Sequence, residues 1–212
     1  MTPSQVSEPG LDPLADMAKH GGIEYLFPTP VFWYVFKNVA ALNAELLELI
    51  LAQERANPST VKSNQGGWQS PNDFFNCGGS AAATLRQFAM RAVEIATARL
   101  GLASKAALQF QLSSWAAVNR NGHYNTPHVH PMATWSGVYY VHPGDETPAA
   151  PGATLEFAHP IVASVMTFFP AMLPSARLVR PEAGMIILFP GYLQHSVRMY
   201  RGERPRVCVP FN

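Results

Sequence analysis

Two periodicities divide the chain. Between about residues 38 and 101 apolar side chains recur every three or four positions, and from Lys105 onward they alternate with polar ones at every second position. Leu42, Leu46, Leu47, Ile50 and Leu51 predict a helix over about 38–57, capped by Asn38 or Asn43 and stopped by Asn57-Pro58. Leu85, Phe88, Ala89, Ala92, Ile95 and Leu100 predict a second over about 80–101, with Gly101 as C-cap. Before them, Leu26 to Phe36 reads as an edge strand, because its prolines bar a central place. The second half predicts eight strands: Ala107 to Val118, His123 to His130, Thr134 to Val141, Thr154 to Ala158, Ala176 to Arg180, Met185 to Phe189, His195 to Tyr200 and Arg206 to Phe211. Turn signals such as Asn121-Gly122, Pro151-Gly152 and Pro190-Gly191 separate them. Eight short antiparallel strands with two bracing helices predict a mainly β fold, a double-stranded β-helix of the jelly-roll or cupin-like kind.

Composition narrows the partners. In 212 residues there is room for a single domain over 23–212, and residues 1–22, rich in Pro, Ser, Gly and Ala without periodicity, read as a mobile arm. A net charge of +1 gives no electrostatic reason to expect nucleic acid or an anionic membrane. No apolar run is long enough to cross a bilayer, and no signal-peptide pattern opens the chain. Cys77 and Cys208 stand far apart without metal-binding or redox spacing, which favours the cytoplasm. The low charged fraction, 14%, implies apolar surface covered by something. The Phe- and Met-rich run 161–173 serves equally well as a lid or as the face of a homodimer.

Candidate chemistry centres on Asn125-Thr-Pro-His-Val-His-Pro131. His128 and His130, one residue apart on an extended segment, share a face, and the flanking prolines reduce the entropy lost in fixing them. His195 opens a later strand after a turn, as a ligand at a barrel mouth should. Three neutral imidazoles suit zinc, copper, iron or nickel, so ligand type alone does not choose the metal. Arg206 follows one hairpin later, in phase to point inward, where a guanidinium needs an anion such as a ligand carboxylate. Arg198, Arg201 and Arg204 read as surface residues, and His20, His142 and His159 as incidental. Trp135, Asn119, Asn125 and the 161–173 run are candidates to face a small-molecule substrate, whereas the loop 63–72 around Trp68 reads as packing.

The succession His-x-His, Ser-Gly-Val-Tyr-Tyr-Val, Gly-x-x-Leu-x-Phe, Gly-x-x-x-Leu-Phe-Pro, Leu-x-His-x-Val and Arg-Val-x-Val-x-Phe-Asn resembles the iron(II)/2-oxoglutarate-dependent oxygenases. Within them it is similar to a bacterial branch related to prolyl hydroxylases, which Phe27-Pro-Thr-Pro-Val31 and Ser63-Asn-Gln-Gly-Gly-Trp68 also resemble. The resemblance implies Fe(II) on His128, His130 and His195. It implies 2-oxoglutarate held by Arg206 and Tyr140, and O2 as oxidant. The expected activity is hydroxylation of a small or amino-acid-like molecule with release of succinate and CO2. His130 departs from the superfamily's usual carboxylate ligand. That departure keeps two alternatives open: a three-His cupin-type dioxygenase that does not use 2-oxoglutarate, and a non-catalytic metal or ligand binder.

Overall fold

The computed structural model describes residues 27–101, 109–145, 153–161 and 174–212. Among these residues eleven strands fall into two antiparallel sheets. Strand β1 (Phe32–Val35) precedes helix α1 (Ala40–Ala56), the short β2 (Asn64–Gln65) and β3 (Trp68–Gln69), a one-turn α2 (Phe74–Cys77) and the long α3 (Gly79–Arg99). There follow β4 (Ala117–Asn119), β5 (Tyr124–His128), β6 (Trp135–His142), β7 (Leu155–Ala158), β8 (Ala176–Val179), β9 (Met185–Pro190), β10 (His195–Val197) and β11 (Arg206–Phe211). The larger sheet runs β1-β9-β6-β11-β4-β3 and the smaller β2-β5-β10-β7-β8. This is the double-stranded β-helix that the strand count predicts, and β1 takes the expected edge position.

The larger sheet is buried on both faces. Its outer face carries Tyr139, Val141, Ile186, Leu188, Val207 and Val209 into one apolar cluster with Leu46, Ile50, Leu85 and Ala89 of α1 and α3. Its inner face carries Val138, Tyr140, Ile187, Phe189 and Cys208 into a second cluster with Leu155 and Phe157 of the smaller sheet. Strict alternation along β6, β9 and β11 sorts each side chain to one cluster or the other. For this reason β9 reads as an unbroken apolar run although it is an ordinary period-two strand.

Four expectations need correction. The strand predicted over Ala107 to Val118 shrinks to Ala117–Asn119; its first residues lie outside the described ones, and Ser114 makes only isolated bridges, to Asp73 and Phe211. Residues 113–115 still run beside β11, with the Ser113 N–H on the Asn212 carbonyl at 3.0 Å and the Trp115 N–H on the Pro210 carbonyl at 3.1 Å, but outside a regular ladder. Neither Asn38 nor Asn43 caps α1: the cap position is Val39, without a side-chain bond. Asn43 sits inside the first turn and accepts the Tyr139 hydroxyl at 2.7 Å, tying the helix to the sheet. The loop after α1 is also more than packing, as the site shows. The arm at 1–22 lies outside the described residues, as does the 161–173 run apart from Ile161. The C-cap of α3 is Leu100, and Gly101, one residue beyond the expected position, turns the chain at φ +71; both cysteines are free.

Candidate metal centre

Sheet register brings the histidines together. His128 ends β5 and His195 begins β10, and the two are direct partners across that pair. His130 lies two residues beyond His128, in a turn anchored by its own backbone N–H on the Gly191 carbonyl at 2.8 Å. Gly191 permits that docking. A Cβ there would lie 2.3 Å from the Ala133 carbonyl, which no side chain tolerates. The ring centroids are 4.3 Å apart for His128 and His195 and 5.1 Å for each pair with His130. One ring nitrogen of each lies within 4.8 Å of the others, a cluster one metal ion can bridge.

Hydrogen bonds decide which nitrogens these are. His128 Nδ1 lies 2.7 Å from the Thr126 carbonyl and His195 Nδ1 2.9 Å from the Leu193 carbonyl. A carbonyl only accepts, so each Nδ1 carries the proton and each Nε2 keeps its lone pair. His130 Nδ1 is 3.3 Å from the Asn212 side-chain amide. Burial lowers all three imidazole pKa values. His195 falls to about 3 and His130 to about 4, each assisted by repulsion from neighbouring imidazoles, and His128 falls too, against a smaller opposing pull from Thr126. At neutral pH the cluster is therefore uncharged, and the Nε2 lone pairs of His128 and His195 are free to bind a metal.

The histidines line a cavity of 520 Å³ between the sheets, and Arg206 and Tyr140 line it from the opposite sheet. Arg206 is 2% exposed; its guanidinium lies 5.2 Å from the centre of the Tyr140 ring, with one amino group 3.5 Å from Cys208 Sγ. The fully buried Tyr140 hydroxyl makes no hydrogen bond of normal geometry. Burial raises its pKa strongly, outweighing the nearby guanidinium, so it stays a neutral donor. Among the described residues no Asp or Glu lines the cavity. A buried guanidinium beside a buried hydroxyl donor fits a carboxylate, and three neutral imidazoles fit a divalent transition metal.

Of the residues expected to face substrate, Asn119 and Asn125 do line this cavity. Trp135 does not: its indole N–H donates to Thr97 of α3 at 3.0 Å, on the helix side of the sheet. Sequence reasoning missed Ser63, Gln69, Trp115, Ser136 and Asn212, all of them in the cavity wall. Ser63 Oγ is 3.4 Å from His128 Nε2 and 3.2 Å from the Asn125 amide nitrogen. Strand phase gave a usable signal for two of them, since Asn212 lies six residues from Arg206 and Trp115 four from Asn119. His142 and His159 stay outside the cluster, bonded to nearby backbone groups.

Residues 113–212, which hold the three histidines, Tyr140 and Arg206, match the family model described as "Putative 2OG-Fe(II) oxygenase". That segment, residues 113–212, belongs to the 2OG-Fe(II) oxygenase superfamily. Its members use Fe(II), 2-oxoglutarate and O2. The fold is similar to that of a Pseudomonas putida prolyl-4-hydroxylase, at a TM-score of 0.60 and 17% identity over 93% of this chain and 94% of that one. It is also similar to a prolyl hydroxylase of Trichoplax adhaerens solved with a peptide fragment of hypoxia inducible factor, at 0.63 and 12% over 93% and 85%. A third similar structure is a 2-oxoglutarate complex of a collagen prolyl hydroxylase from Paramecium Bursaria Chlorella virus-1, at 0.57 and 8% over 85% and 93%. No curated protein matches the chain in sequence. Among the described residues no helix is long and apolar enough to cross a membrane.

Proposed function

We propose that the protein is a 2-oxoglutarate-dependent hydroxylase with Fe(II) on His128, His130 and His195. The observation that carries this is the shared cavity: two uncharged imidazoles on one sheet, and a third in the turn beyond its strand, face a buried Arg206–Tyr140 pair on the other sheet. Iron, oxo acid and O2 together supply the oxidising power, coupling decarboxylation to succinate and CO2 with insertion of one oxygen atom into a substrate C–H bond.

The chain's own residues do the rest. Thr126 and Leu193 hold two imidazoles in the tautomer that presents Nε2. Arg206 binds the distal carboxylate of 2-oxoglutarate, and Tyr140 donates its hydroxyl to the same group. Val138, Leu155, Phe189 and Val197 line the cavity with apolar surface and limit water around the reacting atoms. Gln69 and Trp115 are buried and line the cavity. An amide and an indole N–H suit a substrate with hydrogen-bonding groups, such as an amino-acid derivative.

The test is succinate formation. Iron-loaded protein should convert 2-oxoglutarate to succinate and CO2, slowly without prime substrate and faster with it. Arg206→Ala should need far more 2-oxoglutarate, because it removes a charge-assisted pair worth about 1.5–3 kcal/mol, while iron affinity without cosubstrate stays nearly constant. Equal loss of both would make Arg206 a structural residue. The His130 ligand favours one second reading, a three-His dioxygenase without oxo acid, and stoichiometric iron with no succinate under any substrate would select it.

A further inference from the structure

The third imidazole differs from the other two in the partner of its Nδ1. Thr126 and Leu193 offer carbonyls, which accept only, so the tautomers of His128 and His195 are fixed whether or not a metal is bound. His130 faces the primary amide of Asn212, which offers a donor at one end and an acceptor at the other. That amide lies between His130 and Ser136: Asn212 Oδ1 accepts the Ser136 hydroxyl at 2.8 Å, and Nδ2 lies 3.3 Å from His130 Nδ1. In this orientation Nδ2 donates to Nδ1, so the proton of neutral His130 sits on Nε2, where the metal would have to bind.

Ser136 is 2% exposed, and its hydroxyl donates or accepts equally well. Turning the amide half a revolution therefore costs no hydrogen bond. Nδ2 then donates to Ser136 Oγ, and His130 Nδ1–H donates to Oδ1. Backbone bonds between Asn212 and Ser113, at 2.9 and 3.0 Å, hold the residue in place while its side chain turns. Only the turned state frees His130 Nε2.

We propose that Asn212, clamped by Ser136, is a positioning residue that works as a two-state latch on the third ligand: metal uptake is coupled to rotation of its amide and to the tautomer of His130. The proposal rests on the assignment of His128, His130 and His195 as ligands. It also gives the phase relation of Asn212 to Arg206 a purpose, since β11 places the cosubstrate anchor at one end and this latch just beyond the other.

The experiment compares wild type, Asn212→Asp and Asn212→Leu, using cobalt(II) as a coloured probe and zinc(II) as a diamagnetic one. A carboxylate accepts only, so Asn212→Asp holds Nδ1–H permanently and should bind cobalt roughly tenfold more tightly, through a charge-assisted bond. Leucine fills the space without a bond and should weaken binding by roughly 10–100-fold. Metal-free melting curves establish that each variant folds, and Asn212→Asp, nearly isosteric, keeps the test open if the leucine variant does not. Long-range proton–nitrogen spectra of the histidine rings should place the His130 proton on Nε2 in metal-free wild type and on Nδ1 with zinc. In Asn212→Asp, Nδ1 should carry a proton in both states. Cobalt affinities that do not differ among folded proteins, or a wild-type proton on Nδ1 before zinc is added, would overturn the latch. Wild type that takes up no stoichiometric cobalt would instead overturn the three-His site itself.

Discussion

His130 sets the charge of the proposed centre. Three neutral ligands leave ferrous iron at a formal charge of +2, whereas the superfamily's usual carboxylate would leave +1. Dianionic 2-oxoglutarate then neutralises the site, so part of its affinity comes from the metal and the rest from Arg206 and Tyr140. His130→Asp should retain iron but bind 2-oxoglutarate more weakly, by several-fold to about tenfold if one unit of charge in a partly wet cavity is at stake. Anaerobic titration of iron-loaded protein, followed by the metal-to-ligand charge-transfer band, measures this directly; tighter binding by the variant would contradict it. His128→Ala and His195→Ala should each abolish stoichiometric iron binding while leaving cooperative unfolding, and full retention by either would exclude that residue as a ligand. All three histidines were legible from proline flanks and strand phase. Ser63 and Gln69 were not, because they enter the wall through pairings of β2 with β5 and β3 with β4 that join residues about 50 to 60 positions apart.

At the scale of elements, alternation is the rule that places both cosubstrate and core. On β6, Ser136, Val138 and Tyr140 face the cavity, while Gly137, Tyr139 and Val141 face the helices. Trp135 is an odd number of residues from Tyr140, so the expectation that both face the ligand conflicted with the strand's own period. The structure resolves the conflict in favour of Tyr140. The start of β4 was harder to read, since the point at which a ladder gives way to isolated bridges depends on the partner strands as well as on its own residues. The helix faces, in contrast, were largely plain from spacing, with Leu46, Ile50 and Leu85 fully buried as expected, although Leu100, counted in the same stripe, is exposed. Gly137 tests the outer face. A Cβ there would meet the Phe211 ring at 2.5 Å and the Ile187 carbonyl at 3.0 Å. Gly137→Ala should therefore cost about 1–3 kcal/mol by overpacking, lowering Tm by roughly 2–12 °C for a chain of this size. Phe211→Leu makes room, so the double variant should lose less stability than the two single losses combined. Simple additivity in denaturant melts would show that the ring is not what the new methyl meets.

For the whole molecule, the cluster of buried neutral imidazoles couples stability to acidity. His195 and His130 titrate at about 3 and about 4 when folded, and His128 also below its ordinary value, whereas an exposed histidine titrates near 6.5. Between those limits the unfolded chain binds more protons than the folded one, so the unfolding free energy rises with pH across the window. Their contribution is intact above about 6.5 and is lost progressively as pH falls toward the folded values. The metal-free protein should consequently lose Tm between pH 6.5 and 5, before most carboxylates begin to protonate. A metal ion held by the same nitrogens binds only the folded state, adding about 2.7 kcal/mol at a hundred times its Kd. It also competes with protons for the ring nitrogens, so metal-loaded protein should hold its Tm to lower pH and then fall more steeply as the ion is displaced. Replacing His195 by Gln removes one of the groups and should flatten the metal-free slope between pH 6.5 and 5. Scanning calorimetry across that range, with and without zinc, separates these effects. A metal-free Tm indifferent to pH, or a His195→Gln slope as steep as the wild type's, would mean that the imidazoles are not buried as neutral groups.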